Sequence, residues 1–246
     1  MRLHILGTAG YHPNETRQTA CLMIPQLGIV LDAGTGFFRA RELLQTNELD
    51  IFLSHTHLDH VVGLSFWFDI IHDHKIDRAT VHGLPEKLAA VREHLLNEHL
   101  FPVAIPYEYR PLQPVVPLAG DGRLTHFPLV HPGGATGYRL DWPNRSMAYV
   151  TDTQANSDLP YVEHLRGVDL LIHECNFRDG QEEFAALTGH SCTTQVAQVA
   201  KRAAVGRLVL AHLNPLIPGD DPIGLDAARK VFPNVSVAHD GMVVEF

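Results

Sequence analysis

Short apolar runs, each five to seven residues long, alternate with polar segments along most of the chain. Runs of this length that are rich in Val, Ile and Leu and bounded by Gly, Asp or Pro are typical of β-strands. The segments that this pattern predicts as strands are 2–6, 20–24, 28–32, 50–54, 79–83, 124–130, 136–142, 146–152, 169–174, 207–212 and 235–239.

Three longer segments between these runs have the periodicity of helices. Residues 85–99 begin with a proline, which suits a first helical turn, and residues 192–205 place apolar side chains at helical spacing until Gly206. In 220–232, Asp221 is the expected cap and Pro222 the expected first residue. Many strands with interspersed helices predict an α/β fold of two sheets covered by helices on their outer faces.

The domain organisation follows from the same pattern. Neither low-complexity sequence nor a short repeat divides the chain, so residues 1–246 are interpreted as a single domain of two similar halves. The turn-forming stretch 117–122 is the predicted junction between the halves. The proline-rich segment 101–118 is open to two interpretations, a loop that covers a substrate or a contact in a homodimer.

Composition excludes several classes of protein. The chain has 45% apolar and 19% charged residues, as soluble globular proteins do, and a net charge of −9. Avid binding to a phosphate backbone needs clustered Lys and Arg, so no stable nucleic-acid partner is expected. No apolar run is long enough to cross a membrane, and no cleavable signal is recognisable. Three scattered cysteines do not suggest a disulfide framework, so a cytoplasmic location is expected.

Histidine is unusually frequent, with 17 residues. The potential metal-binding and catalytic residues recur at similar positions relative to the predicted strands. Metal-binding and acidic side chains follow directly after predicted strands, where ligand sites of layered α/β proteins gather. These residues are His55, His57, Asp59, His60, His131, Asp152, His173, Glu174 and His212.

The densest group lies in the stretch SHTHLDH, residues 54–60. On an extended segment His55 and His57 point the same way and can share one metal ion. Asp59 and His60 lie beyond the turn and can reach a second ion nearby. Neutral imidazole and carboxylate groups are zinc ligands, so this spacing predicts a metal site rather than a solvated loop.

This stretch resembles the HxHxDH signature of the metallo-β-lactamase superfamily, and the resemblance extends over nearly the whole chain. It implies an αββα sandwich of two mixed β-sheets flanked by helices, with the site along one edge of the sheets. It also implies two divalent transition-metal ions, most simply Zn²⁺, with Mn²⁺ or Fe as alternatives. One ion would be bound by His55, His57 and His131 and the other by Asp59, His60 and His212, with Asp152 joining them.

Further motifs resemble the tRNase Z branch and its phosphodiesterase relatives. They are the opening LGTAGYHP, the LLIHE stretch that ends at Glu174, and the TGHSCTTQ stretch that contains His190. The resemblance implies that Glu174 orients His190 and that His190 protonates the leaving oxygen of a phosphodiester. It gives Asp59 the second task of orienting the attacking hydroxide between the metal ions.

One departure from tRNase Z changes the expected substrate. In the bacterial enzymes a long arm that grips tRNA is inserted between the third metal histidine and the joining aspartate. Here only 20 residues, 132–151, separate His131 from Asp152, and they already contain two predicted strands. The expectation is therefore an armless phosphodiesterase that acts on small phosphodiesters or cyclic nucleotides.

Other functions remain open at this level. The same metal-binding residues serve lactone and thioester hydrolysis, although a carbonyl hydrolase would not need Glu174 and His190. A tRNA 3′-processing endonuclease is a further alternative. His57 argues against an iron redox protein, and the full set of seven ligands argues against a binding module without catalysis.

Overall fold

The computed structural model describes all residues, 1–246, and contains 14 strands that form two sheets. In chain order the strands are β1 Arg2–Gly7, β2 Cys21–Ile24, β3 Ile29–Leu31, β4 Glu48–Phe52, β5 Arg78–Gly83, β6 Tyr107–Pro111, β7 Val115–Leu118, β8 Gly122–Leu129, β9 Ala135–Trp142, β10 Arg145–Val150, β11 Leu170–Glu174, β12 Arg207–Ala211, β13 Val235–Val237 and β14 Met242–Glu245.

Seven α-helices are present, and most are short. They are α1 Leu58–Val61, α2 Trp67–Ile70, α3 Pro85–Ala90, α4 Tyr161–His164, α5 Glu182–Thr188, α6 Thr193–Arg202 and α7 Leu225–Val231. Three 3₁₀ segments, Pro25–Leu27, Thr35–Leu43 and Val62–Phe66, and one π-helical turn, Val91–Leu95, complete the helical structure. None of these helices has the length and apolar character that a membrane span requires.

The chain divides into two compact units, each with one sheet. The first unit contains Met1–Gly7, Tyr11–Pro114 and Asp240–Glu245, and the second contains Thr8–Gly10, Val115–His239 and Phe246. This division lies a few residues before the stretch 117–122, which forms the turn region between β7 and β8. That the two units make a single domain stays a prediction.

The two sheets have the same strand pattern. The first runs β14-β1-β2-β3-β4-β5-β6 and the second β13-β12-β11-β10-β9-β8-β7. The first sheet, counted from β14, and the second sheet, counted from β7, each have three antiparallel pairings followed by three parallel ones. The predicted two mixed β-sheets flanked by helices are therefore confirmed.

Burial explains why the central strands are continuous apolar runs. Every residue of β11 is buried, and so are four of the five in β12, as expected for parallel strands that are covered on both faces. In the second unit α6 packs Val196, Val199 and Ala200 into the same apolar core as these strands. The first unit has its own core, which includes Phe37, Ile51 and Val81.

The proline-rich segment 101–118, for which the sequence permits two interpretations, contains strands in the structure. It holds β6 and β7, which are edge strands of their respective sheets. Proline is tolerated at sheet edges because no ladder hydrogen bond is lost there. The segment is therefore not a single loop, and its role as a cover for the substrate or as a contact in a homodimer stays a prediction.

One predicted helix start is also wrong. The last helix begins at Leu225 after Gly224, not at Pro222. Asp221 nevertheless accepts a hydrogen bond from the Leu225 amide at 2.9 Å, so its carboxylate satisfies one of the amides of the first turn.

Candidate metal centre

In the first unit the predicted metal-binding stretch forms the loop between β4 and α1. His55 lies in the loop, and Asp59 and His60 lie in the single turn of α1. His55 and His60 are buried, whereas His57 is exposed. The centroid of the His55 ring is 4.5 Å from that of His57 and 4.2 Å from that of His60. The structure thus gathers three imidazoles of this stretch at one point.

Asp32, which follows β3, stabilises this loop through hydrogen bonds to Ser54 and His60. Its carboxylate accepts hydrogen bonds from the backbone amide and the hydroxyl of Ser54, both at 2.7 Å, and contacts His60 Nδ1 at 2.8 Å. Asp32 is fully buried and has a φ of 56°, which is uncommon for a residue other than glycine. A buried carboxylate that orients an imidazole through Nδ1 is the usual support for a metal-binding histidine.

The proton positions of two histidines follow from their partners. A carboxylate or a carbonyl oxygen only accepts, so the Nδ1 of His60 and the Nδ1 of His131 must carry the proton. His131 Nδ1 donates to the Gly189 carbonyl at 3.0 Å. The Nε2 lone pair of each ring is then directed away from these partners, and that is the form in which histidine binds a metal ion.

Asp59 places a carboxylate oxygen beside His60. Its Oδ2 is 3.3 Å from His60 Nε2 and accepts a hydrogen bond from the Tyr11 amide at 2.7 Å. Gly34 makes this packing possible, since a Cβ there would come within 2.1 Å of the Asp59 carbonyl oxygen. Asp59 and His60 therefore present two donor atoms at a separation that ligands of one metal ion can have.

The second unit contains a matching group at the ends of β8, β10 and β12. Asp152 Oδ1 is 3.6 Å from His131 Nε2, and its Oδ2 is 3.3 Å from His212 Nε2. The two oxygens of one carboxylate thus face two different histidines. This is the arrangement that a carboxylate shared between two metal ions requires.

Two of these residues have unusual backbone conformations. Asp152 has a φ of 50° and His212 a φ of 52°, in the left-handed region. Such conformations cost energy for residues other than glycine and cluster at functional sites. Asn176 stabilises the turn at His212 by donating its side-chain amide to the His212 carbonyl at 3.1 Å.

Gly10 is required by the packing of His212. A Cβ on Gly10 would lie 2.3 Å from Cε1 of the His212 ring, which is closer than any real contact. The glycine in the opening LGTAGYHP therefore permits close approach of a predicted metal ligand.

His190 and Glu174 form the predicted pair. His190 Nδ1 is 3.2 Å from Glu174 Oε1, and Glu174 also accepts hydrogen bonds from the backbone amides of Thr153 and Asn176. One ring nitrogen of His190 lies within 4.8 Å of donor atoms of Asp152 and His212. His190 is thus close enough to this group to act either as a proton donor or as a further ligand.

The donor set fits divalent transition-metal ions. It consists of imidazole nitrogens and carboxylate oxygens, which suit zinc, manganese and iron. Burial lowers the pKa of His131 and so favours the neutral imidazole that metal binding needs. The free cysteines Cys21, Cys175 and Cys192 are all buried, and burial raises the pKa of Cys175, so no reactive thiolate is indicated.

Several residues that shape the site are not evident from the sequence. Asp32 follows a strand just as the predicted ligands do, so its position was a usable signal. Ser54, Tyr11 and Asn176 carried no signal of their own, because each acts through a contact with a residue distant in the chain or through its backbone.

Imidazole and carboxylate groups gathered at strand ends in two mixed sheets define a metal-binding α/β protein. Residues 28–213 match the sequence family described as the beta-lactamase superfamily domain. The match covers more than half of the chain, so the chain belongs to the metallo-β-lactamase superfamily, a family of metal-dependent hydrolases.

Relatives named ribonuclease Z resemble this chain to different extents. One from Methanopyrus kandleri is 28% identical over 98% of this chain and 96% of its own length. One from Synechococcus is 39% identical, but that match covers 42% of this chain and spans only 33% of the relative.

Solved structures agree on the fold. The metallo-beta-lactamase fold protein YhfI from Bacillus subtilis has a TM-score of 0.78 at 22% identity, covering 100% of this chain and 99% of that one. The short form of human tRNase Z has a TM-score of 0.76 at 22% identity, with coverage of 100% of this chain and 99% of that one. A diphosphatase of the PhnP family has a TM-score of 0.72 at 21% identity, with coverage of 100% and 98%. The predicted superfamily and its tRNase Z and phosphodiesterase-like branch are confirmed.

Proposed function

We propose that this protein hydrolyses phosphodiester bonds with two bound divalent metal ions. The observation that carries the proposal is the His190–Glu174 pair, which lies beside the donor atoms of Asp152 and His212. A histidine oriented by a buried carboxylate is suited to protonate a poor leaving group, such as the alkoxide of a phosphodiester. A hydrolase of activated carbonyl compounds has less need of this pair.

The proposed metal ligands are the seven residues that were predicted from the sequence. His55, His57 and His131 would hold one ion, Asp59, His60 and His212 would hold the other, and Asp152 would contact both. When bound, the ions supply positive charge for the phosphoryl oxygens and an activated water molecule. Zinc is the first choice, with manganese or iron as alternatives.

Side chains of the protein orient the attacking water and protonate the leaving group. Asp59, fixed by the Tyr11 amide, orients the attacking water. As the phosphorus–oxygen bond to the leaving group breaks, His190 transfers its Nε2 proton to the departing oxygen. Glu174 stabilises the imidazolium form before the transfer and fixes the ring through Nδ1.

The comparisons support RNA as the substrate more strongly than the sequence analysis did. Relatives that align over nearly their full length are named ribonuclease Z, so processing of tRNA 3′ ends, first considered an alternative, becomes the leading candidate. An RNA substrate would also replace the expectation of no nucleic-acid partner with a transient one.

A small phosphodiester is the second candidate, and a specific observation favours it. Trp142 pairs with Arg145, so Pro143 and Asn144 alone turn the chain between β9 and β10, within the interval from His131 to Asp152 in which an arm would be inserted. The alignment with the Methanopyrus relative runs over 282 positions, whereas this chain has 246 residues, so at least 36 positions of that relative have no counterpart here.

A substrate panel tests both candidates on the metal-loaded protein. It contains a tRNA precursor with a 3′ trailer, bis(p-nitrophenyl) phosphate, p-nitrophenyl phosphate, a cyclic nucleotide, a lactone and a thioester. We expect bis(p-nitrophenyl) phosphate, a diester, to be cleaved far faster than p-nitrophenyl phosphate, a monoester. Cleavage of the tRNA precursor at its 3′ trailer would favour the RNA candidate over the small phosphodiester. His55→Ala serves as the inactive control. Faster hydrolysis of the lactone or thioester than of every phosphodiester would contradict the proposal.

A further inference from the structure

Tyr11 is an aromatic side chain left almost entirely in solvent. It is 80% exposed, although an aromatic ring of this size is normally at least half covered. The ring contacts His12 edge-on, with 5.2 Å between centroids and 64° between planes. A large exposed ring next to a site is more informative than an exposed aliphatic side chain, because tyrosine is favoured where a surface binds another molecule.

The backbone of Tyr11 is fixed beside the metal-binding stretch. Its amide donates to Asp59 Oδ2 at 2.7 Å, and the same oxygen is 3.3 Å from His60 Nε2. Tyr11 has a φ of 63°, which residues other than glycine rarely adopt. The contact with Asp59 thus fixes the backbone from which the Tyr11 ring projects, and it places that backbone next to the proposed metal ligands Asp59 and His60.

The rest of this loop is also ordered. The Asn14 side chain accepts hydrogen bonds from the amides of Thr16 and Arg17, at 3.0 and 2.9 Å, which is an Asx turn. His12 Nδ1 donates to the Pro13 carbonyl at 2.8 Å. The backbone that carries Tyr11 therefore belongs to a loop that is ordered by its own hydrogen bonds.

We propose that Tyr11 is the residue on which the base or aryl group next to the scissile phosphodiester stacks, an assignment that rests on the function proposed above. Stacking on an aromatic ring accepts any base, because each base has a π face. It needs no basic surface, and this suits a chain with a net charge of −9. The substrate class is thus a phosphodiester with a planar ring on at least one side.

Binding of two monophosphates by the metal-loaded protein tests the assignment. AMP and ribose 5-phosphate share the sugar and the phosphate and differ in the base. Calorimetry on the wild type should show AMP binding more tightly by about 5- to 100-fold, the range expected of one stacked base.

Three variants distinguish the effect of the Tyr11 ring on AMP binding from the effect of the loop conformation. Tyr11→Asn removes the ring while tolerating the positive φ, and it should reduce the AMP preference at least about fivefold without changing ribose 5-phosphate binding. Tyr11→Phe keeps the ring and should retain the preference. Phe68→Asn removes another exposed ring of the first unit, one that stacks on Phe101, and should bind both ligands as the wild type does.

The outcomes distinguish the two proposals. A wild type that hydrolyses phosphodiesters, together with a Tyr11→Asn variant of unchanged AMP preference, contradicts the stacking role alone. Loss of binding to both monophosphates in Tyr11→Asn would make Tyr11 a structural residue of the site and would also overturn the assignment. A wild type that hydrolyses no phosphodiester contradicts the proposed function itself.

Discussion

His190 differs from the two proposed metal ligands His131 and His212 in how far its side chain is covered. The side chain is 15% exposed, whereas those of His131 and His212 are each 3% exposed. Its Nδ1 faces the buried Glu174 carboxylate, as a proton-donating imidazole requires. Partial exposure lets a leaving group approach the other ring nitrogen, so this residue suits proton transfer better than a purely structural role.

We expect His190→Ala to retain its metal ions and to lose activity in a way that depends on the leaving group. With an alkoxide leaving group the rate should fall on the order of 10²-fold or more, because the oxygen must be protonated as it departs. With p-nitrophenolate, which leaves without a proton, the loss should be much smaller. The measurements are kcat for both substrates and metal content.

His164→Ala is the matched control for this variant, since His164 is an exposed histidine of the same unit that stacks on Phe127. It should lose neither activity nor metal. Loss of metal in His190→Ala would assign His190 as a ligand, which its closeness to Asp152 and His212 permits. Equal rate losses with both leaving groups would rule out the proton transfer.

At the scale of elements, β14 shows how the end of the chain completes a sheet. It pairs antiparallel with β1, with Val244 opposite Leu3 and Val243 opposite His4. Successive side chains of a strand point to opposite faces, and here Val244 is fully buried while Val243 is 46% exposed. The second face of an edge strand therefore contributes little to the core.

These adjacent valines make a matched pair for a stability test. Val244→Ala removes two buried methyl groups and leaves a small cavity, so the free energy of unfolding should fall by about 2 kcal/mol. Val243→Ala should cost less than about 1 kcal/mol, because its side chain is half in water. Urea unfolding followed by circular dichroism gives both values. Equal costs would show that the register between β14 and β1 is wrong.

At the scale of the whole molecule, the seven proposed ligands are widely separated in the sequence. Four lie in the stretch 55–60, and His131, Asp152 and His212 follow much later in the chain. Ions bound in this way add their binding free energy to the stability of the folded chain. Metal content and thermal stability should therefore change together.

We expect about two transition-metal ions per chain, measured by elemental mass spectrometry. Asp152→Ala should lower the occupancy of both, because the proposal has its carboxylate contact both ions. Asp158→Ala, which changes an exposed aspartate of the same unit, should keep full occupancy. Removing metal with a chelator should lower the Tm of the wild type. Full occupancy by two ions in Asp152→Ala would contradict the assignment.

The sequence alone determined the local features of this protein. Eleven strands and the metal-binding stretch were predictable because apolar periodicity and ligand spacing are encoded within a few residues. Only the tertiary structure decided which distant residues complete the site. Asp32 meets Ser54 across 22 positions, Tyr11 meets Asp59 across 48, and Asn176 meets His212 across 36. Edge strands such as β6, β7 and β14 were missed for the same physical reason, since a short, half-exposed strand is stabilised by its neighbour in the sheet rather than by its own sequence pattern.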